Sequence, residues 1–226
     1  VKDIVRGAKR KIIEIIIDVK KSQDSINPNF IDFVDSNSEE VKNILLKSGC
    51  WPFIKQRPYD VIANPFDNPK SIFVSGFNSA PISADLQIVL DDQKEEFKTG
   101  IKVLSKLAPG NLNICVDKNS STFISEIEGI QIHKIKGPHP AGNVGVQIHH
   151  IDPVNSGDRV WTLGAEDIAI IGRYFMTGIY NPIRTIAVSG PPVKYPQYYK
   201  TIVGSEISKI ISDAGVNIND SLRIIN

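Results

Sequence analysis

Fifteen residues hold most of the side chains in this sequence that could do chemistry. The run KGPHPAGNVGVQIHH, Lys136 to His150, carries three of the four histidines, three glycines and two prolines. Its histidines could ligate zinc. Its glycines could let backbone amides approach a phosphate. Either set could instead simply turn the chain. The zinc reading has little behind it: His133, His139, His149 and His150 are the only imidazoles, and no cysteine or HExxH spacing accompanies them. The adjacent His149 and His150 must point to different sides of any regular element, so hydrogen-bonding histidines are the competing reading. For phosphate, glycines between a strand and a helix N-terminus are the geometry that binds anions. Here Gly142 and Gly145 form neither GxGxxG nor a Walker pattern, and a tight turn between sheet and helix also accounts for them.

Other candidates are fewer. Cys50 stands beside Trp51 without a histidine at a fixed spacing, and no GxSxG occurs, so a buried small hydrophobe fits it better than a nucleophile. Trp51, Phe53, Tyr59 and Phe66 lie on a proline-rich stretch, CWPFIKQRPYDVIANPFDNP (50–69). Such aromatics either line an apolar slot or docking surface, or plug one end of a sheet.

These residues need elements to position them. The start, VKDIVRGAKRKIIEIIIDVKK, alternates as one or two strands would. A helix is expected from Ser38 as N-cap to Gly49, with Val41, Ile44 and Leu45 on its apolar face. Residues 50–69 show no period and read as a long loop. Then SIFVS (71–75), a helix over 91–108, NICVD (113–117), a short helix at 121–129 and IQIHKI (130–135) alternate strand with helix. That rhythm predicts a parallel sheet with right-handed crossovers. The quoted run follows the third strand and leads into a helix. DRVWTL (158–163) reads as extended, and AEDIAIIGRYFMTG (165–178) as a helix closed by Gly178. Beyond Pro182 come a strand (184–190), a hairpin-like excursion (191–204) and a helix (205–215) with Ile207, Ile210, Ile211 and Ala214 inside.

The fold class expected is therefore α/β. A Rossmann-like parallel-sheet core covers 26–182, a β segment at 1–25 precedes it, and the start of a small α+β module covers 183–226. Composition agrees: 226 residues, 41% apolar and 23% charged, are those of an ordinary soluble globular chain. A net charge of +1 gives no basic field for nucleic acid. No apolar run approaches the roughly 20 residues needed to span a bilayer. Two isolated cysteines suggest a reducing compartment. The Val1 start, without an initiator Met, suggests a piece of a longer protein.

Five stretches together resemble a known family. VKDIVRGAKRKIIEIIIDV, SGCWPFIKQRP, SIFVSGFNSAPISAD, IKGPHPAGNVGVQIHHIDPV and VWTLGAEDIAIIGRYFMTG are similar, in order, to the NqrA component of the sodium-translocating NADH:quinone reductases. The resemblance implies a peripheral subunit on the cytoplasmic face of the bacterial inner membrane, within a six-subunit pump whose flavins, iron–sulfur centre and NADH site lie on other subunits. It implies membrane subunits as partners, a link to ubiquinone or menaquinone, and a fold similar to the flavin-binding subunit of respiratory complex I. The tail from Arg184 resembles the opening of a soluble-ligand-binding β-grasp (SLBB-like) module. Against the complex I relative, SGCWPFIKQRP keeps one glycine, Gly49, of a glycine run that serves the flavin phosphate. SGFNSAPISAD has no acid before Asp85 where the relative carries an acidic stretch. FMN and NADH are therefore not expected on this chain, and no catalytic residue is assigned. Trp51, Phe53, Tyr59 and His139 are the candidate quinone contacts. A flavin- or NADH-binding dehydrogenase domain and a ligand-free assembly module stay open as alternatives.

Overall fold

A computed structural model of the chain describes residues 28–119, 123–217 and 223–224. The β segment expected at 1–25 lies outside the described residues.

Three apolar runs make the centre of the sheet: β3 (Ser71–Ser75), β4 (Leu112–Asp117) and β6 (Val160–Gly164). All three are buried over nearly their whole length, as strands covered on both faces must be. With β5 (Gln131–Ile135) they form the parallel part of a six-stranded sheet of order β2-β1-β6-β3-β4-β5, in which β1 is Lys55–Arg57 and β2 is Val61–Ile62. Alternation along the strands divides the core in two. Ile72, Val74, Ile114, Val116, Trp161 and Leu163 belong to the large cluster under α1 (Ser38–Ser48), α3 (Lys94–Leu107) and α5 (Ala165–Thr177). Phe73, Cys115 and Val160 face the other way, against Ile148 of α4 (Val144–Ile151). Helices on both faces of a parallel sheet make a doubly wound α/β domain.

Between α3 and α5 the chain uses glycine for close approach. A Cβ on Gly172 would overlap the Glu96 carbonyl oxygen, and one on Gly100 the Ile168 carbonyl oxygen. Backbone therefore meets backbone where the two helices cross.

Two local expectations are corrected. The cap of α1 is Asn37, not Ser38: the Asn37 side chain accepts from the Glu40 amide at 3.0 Å, and Glu40 accepts from the Asn37 amide at 2.9 Å. This reciprocal box satisfies two free amides, which Ser38, one residue later, cannot do. Gly49 ends the helix at φ +82, as expected. The stretch 50–69 is not a structureless loop. After a single 3-10 turn (Trp51–Phe53) come β1 (Lys55–Arg57) and β2 (Val61–Ile62), an antiparallel hairpin added to the β6 edge. Tertiary pairing makes these strands. The Trp161 Nε1–H donates to Gln56 Oε1 at 3.0 Å, the Trp51 Nε1–H donates to the Ala63 carbonyl at 2.7 Å, and the two indoles meet edge to face at 5.5 Å. Beneath them lies Lys42, 2% exposed, whose ammonium donates to Glu39, the Asp67 carbonyl and Asn68. A buried charge is tolerable there because every donor has an acceptor.

Elsewhere the boundaries shift. A short helix, α2 (Leu86–Leu90), capped by the Asp85 side chain, precedes α3. The helix expected at 121–129 is a single 3-10 turn, Phe123–Glu126. After α5, β7 (Ile183–Val188) and β8 (Gln197–Ile202) pair antiparallel in a separate two-stranded sheet. The last helix, α6 (Ser208–Asp213), buries less than expected. Ala214 is fully buried, but Ile210 and Ile211 are half-buried and Ile207 is 42% exposed, because two strands offer little surface to cover them. Among the described residues no helix is long and apolar enough to cross a membrane.

Candidate functional site

Chain order and sheet order disagree at one place. The chain runs from β3 outward to β4 and β5, then returns to place β6 on the other side of β3. The helices that follow β3 and β6, α3 and α5, pack together on one face, and α4, which leads back to β6, lies on the other, so the carboxyl ends of β3 and β6 stand where the strand order reverses. A cleft of about 770 Å³ occupies that position. Its floor is formed by Ser75 at the end of β3 and by Thr162, Leu163 and Gly164 at the end of β6. Phe53 and Lys55, Phe77 and Leu86, and His139, Gly142, Asn143 and Val144 supply the walls, with Arg184 of β7 closing one side.

The apolar wall is organised around Phe53. Its ring stacks on Tyr180 at 6.4 Å between centroids and 17° between planes, and the Arg184 guanidinium lies 5.5 Å from its centre. Arg184 is itself held by Asp167 and by Glu166, the latter at 3.6 Å. Glu166 also accepts the Thr185 amide at 2.6 Å. Burial raises its carboxyl pKa above the usual range, against the lowering effects of that amide and of Arg184.

The polar wall is the loop that the PHPAG run builds. Gly142 donates its amide to Ser79 Oγ at 2.8 Å, and Ser79 Oγ lies 3.2 Å from His139 Nδ1. The Ser79 hydroxyl, with one hydrogen and two lone pairs, joins the Gly142 amide to the His139 ring. A Cβ on Gly142 would come within 2.5 Å of the Ser79 nitrogen. The room this glycine leaves is filled by the chain's own 76–85 loop. At the N-terminus of α4 the Asn143 side chain accepts from Gly145 at 2.9 Å, and the Asn143 amide donates to the Pro140 carbonyl. The amides of Gly142, Asn143 and Gly145, which could face a phosphate, are thus taken by oxygens of this loop and of the 76–85 loop.

Of the four residues proposed from sequence, the structure brings Phe53 and His139 to this cleft. Trp51 and Tyr59 do not line it. The Trp51 indole is 4% exposed in the core, its N–H committed to Ala63. Tyr59 is 81% exposed at the β1–β2 turn. The histidines are dispersed: His133 on β5 meets Asn113 Oδ1 at 2.8 Å, and His149 and His150 are exposed at the end of α4. Among the described residues no group of three or more His, Cys, Asp or Glu is close enough to hold a metal ion. Burial pushes the Cys50 thiol up to about 11 and the Cys115 thiol up to about 12, so neither is a ready thiolate. Sequence reasoning missed Lys55, Asp167 and Arg184. Their only signal was the edge strand and the salt links, which appear once distant segments are paired.

A doubly wound α/β domain with a cleft at its switch point, followed by an antiparallel β module, is the class this chain falls into. Residues 36–180 match the family described as the NqrA second alpha/beta domain, and residues 185–226 match the NQRA C-terminal domain. The NqrA protein of the Na(+)-translocating NADH-quinone reductase of Rhodopirellula baltica is 34% identical over 230 residues, covering 99% of this chain and 50% of that protein. The protein of the same name from Haemophilus influenzae is 34% identical over 217 residues (92% and 47%), and that of Neisseria gonorrhoeae 32% over 225 (99% and 50%). The chain belongs to this NqrA family. It spans about half the length of these relatives.

Proposed function

We propose that this chain is part of a peripheral subunit of a sodium-pumping NADH:quinone reductase, and that its cleft receives the head group of a quinone. The observation that carries this reading is the composition of the cleft. A quinone ring needs an apolar slot with a few donors to its two carbonyl oxygens. Phe53, Phe77, Leu86 and Leu163 supply apolar surface, and His139 supplies an imidazole at the rim. The self-filled amides of the 139–145 loop count against a nucleotide phosphate in the same crevice. On this reading the chain binds no FMN or NADH of its own, electrons pass through cofactors on other subunits, and the chain has no catalytic residue. It sits at the cytoplasmic face against membrane partners, in keeping with the lack of a membrane-crossing helix among the described residues. Its working parts are the α/β domain at 26–182 and the β module at 183–226. The exposed Tyr59, Val61, Ile62 and Phe66 on and around the β1–β2 hairpin support a docking role.

The test is a titration of the full-length protein with a short-chain ubiquinone. Saturable binding is expected, weakened about tenfold in Phe53→Ala by loss of the stacked ring. Unchanged affinity in a variant that melts normally would remove the cleft from quinone binding. FMN retained through purification at one per chain would replace this reading with that of a dehydrogenase.

A further inference from the structure

Lys55 occupies an unusual electrostatic position. Its side chain is half-buried and lines the cleft, on β1, directly across from Thr162 in the β1–β6 register. The fold gives other buried and half-buried cations an acceptor. Lys42 has three, Arg173 has Gln93 and the Asn181 carbonyl, and Arg184 has Asp167 and Glu166. Among the described residues Lys55 is the half-buried lysine or arginine whose side chain has no hydrogen bond and no ion pair. The carboxylate that lines the cleft, Asp167, is already engaged by Arg184 and by the Gly164 amide. A partly desolvated ammonium without a counter-charge is costly, and its cost is relieved by a ligand that brings an acceptor.

Taking the cleft as the quinone site argued above, we infer that the Lys55 ammonium anchors one carbonyl oxygen of the head group and makes the site prefer the oxidised quinone to the quinol. The chemistry is one-sided. An ammonium has three donors and no acceptor, and a quinone oxygen accepts only. A quinol oxygen carries a hydrogen that must find an acceptor of its own beside Lys55. There the carboxylate is committed, and Thr162 offers a single hydroxyl. Lys55 is thus a specificity-determining residue for the redox state of the ligand, and Phe53 for its ring.

The experiment compares Lys55→Met and Lys55→Arg with the wild-type full-length protein, titrating each with ubiquinone-1 and, under anaerobic conditions, with ubiquinol-1. Loss of a charged hydrogen bond should raise the quinone Kd about tenfold or more in Lys55→Met. The quinol Kd should rise less than about threefold, and Lys55→Arg should keep most of the preference. An unchanged quinone Kd, or equal weakening of both forms, overturns the assignment. If quinone binding depends on Phe53 but not on Lys55, the cleft stands and the anchor falls. If the wild-type protein binds neither form, both fall together.

Discussion

The sharpest prediction from the packing concerns Gly172 on α5. By helix propensity alone, Gly172→Ala should stabilise the chain by about 1 kcal/mol. The structure predicts the opposite sign. Besides overlapping the Glu96 carbonyl oxygen, the new methyl would lie 2.7 Å from the Glu96 carbonyl carbon and 2.7 Å from the Gly100 nitrogen. Comfortable contacts need about 3–3.5 Å, and the overlap with the Glu96 carbonyl oxygen is the deepest of the three, so α3 and α5 would have to part by more than about 1 Å. The atoms in the way are backbone, which cannot rotate aside. Overpacking of this kind costs about 1–3 kcal/mol, and a backbone clash belongs at the upper end. After the propensity gain a net loss of about 2 kcal/mol remains. With a urea m-value of about 2 kcal/mol/M, the midpoint should fall by about 1 M. Fluorescence is a suitable probe, because the chain's two tryptophans, Trp51 and Trp161, both lie in this core. Because α5 carries Asp167 and Glu166 at its start, the variant should also loosen Arg184 and weaken ligand binding at the cleft. A midpoint that stays or rises would refute the close crossing of α3 and α5.

Two further predictions test local chemistry. Asn37→Ala should cost about 1 kcal/mol in thermal or urea unfolding by breaking the capping box of α1. Ser38→Ala should be neutral or slightly stabilising, because the buried Ser38 hydroxyl has no hydrogen-bond partner. The third concerns pH. The Glu166 carboxyl has a raised folded-state pKa, chiefly through burial, so the folded state holds its proton more tightly than the unfolded state. Its contribution is therefore largest below the ordinary value of 4.5 and is lost as pH rises through the folded-state value. Compared with Glu166→Gln, the wild type should gain relative stability as pH is lowered from 7 towards 4.5. A flat difference across that range would contradict the assignment.

How much of this was legible in the residues differs by element. SIFVS, NICVD and AEDIAIIGRYFMTG carry their structure in local pattern: continuous apolar runs for strands buried on both faces, a 3.6-residue stripe with acids first for the helix. The α/β rhythm and the helix after PHPAGN followed from those. The β1–β2 hairpin was not legible. Strands of three and two residues, with Pro52, Pro58 and Pro65 among them, show no period. They exist because Lys55, Gln56 and Arg57 find Thr162, Trp161 and Val160 over a hundred residues later. The same holds for the cleft. Phe53 and His139 stood out by type. Lys55 looks like any lysine until β6 lies beside it, and Arg184 like any arginine until Asp167 and Glu166 do. Trp51 and Tyr59 were indistinguishable from Phe53 by type, and only burial separates them.

The rims of the sheet have a consequence for how this chain meets other molecules. At one rim β2 is two residues long, too short to seat a neighbour's backbone. At the other, β5 turns Gln131 and Lys134 outward, and Lys136 follows directly after it. Short strands and outward lysines are the means by which sheets discourage strand addition. On the function proposed above, association with neighbouring subunits runs through side chains on the hairpin and helix surfaces rather than by lengthening this sheet. A contact of that kind can be abolished by point substitution without unravelling the domain that makes it.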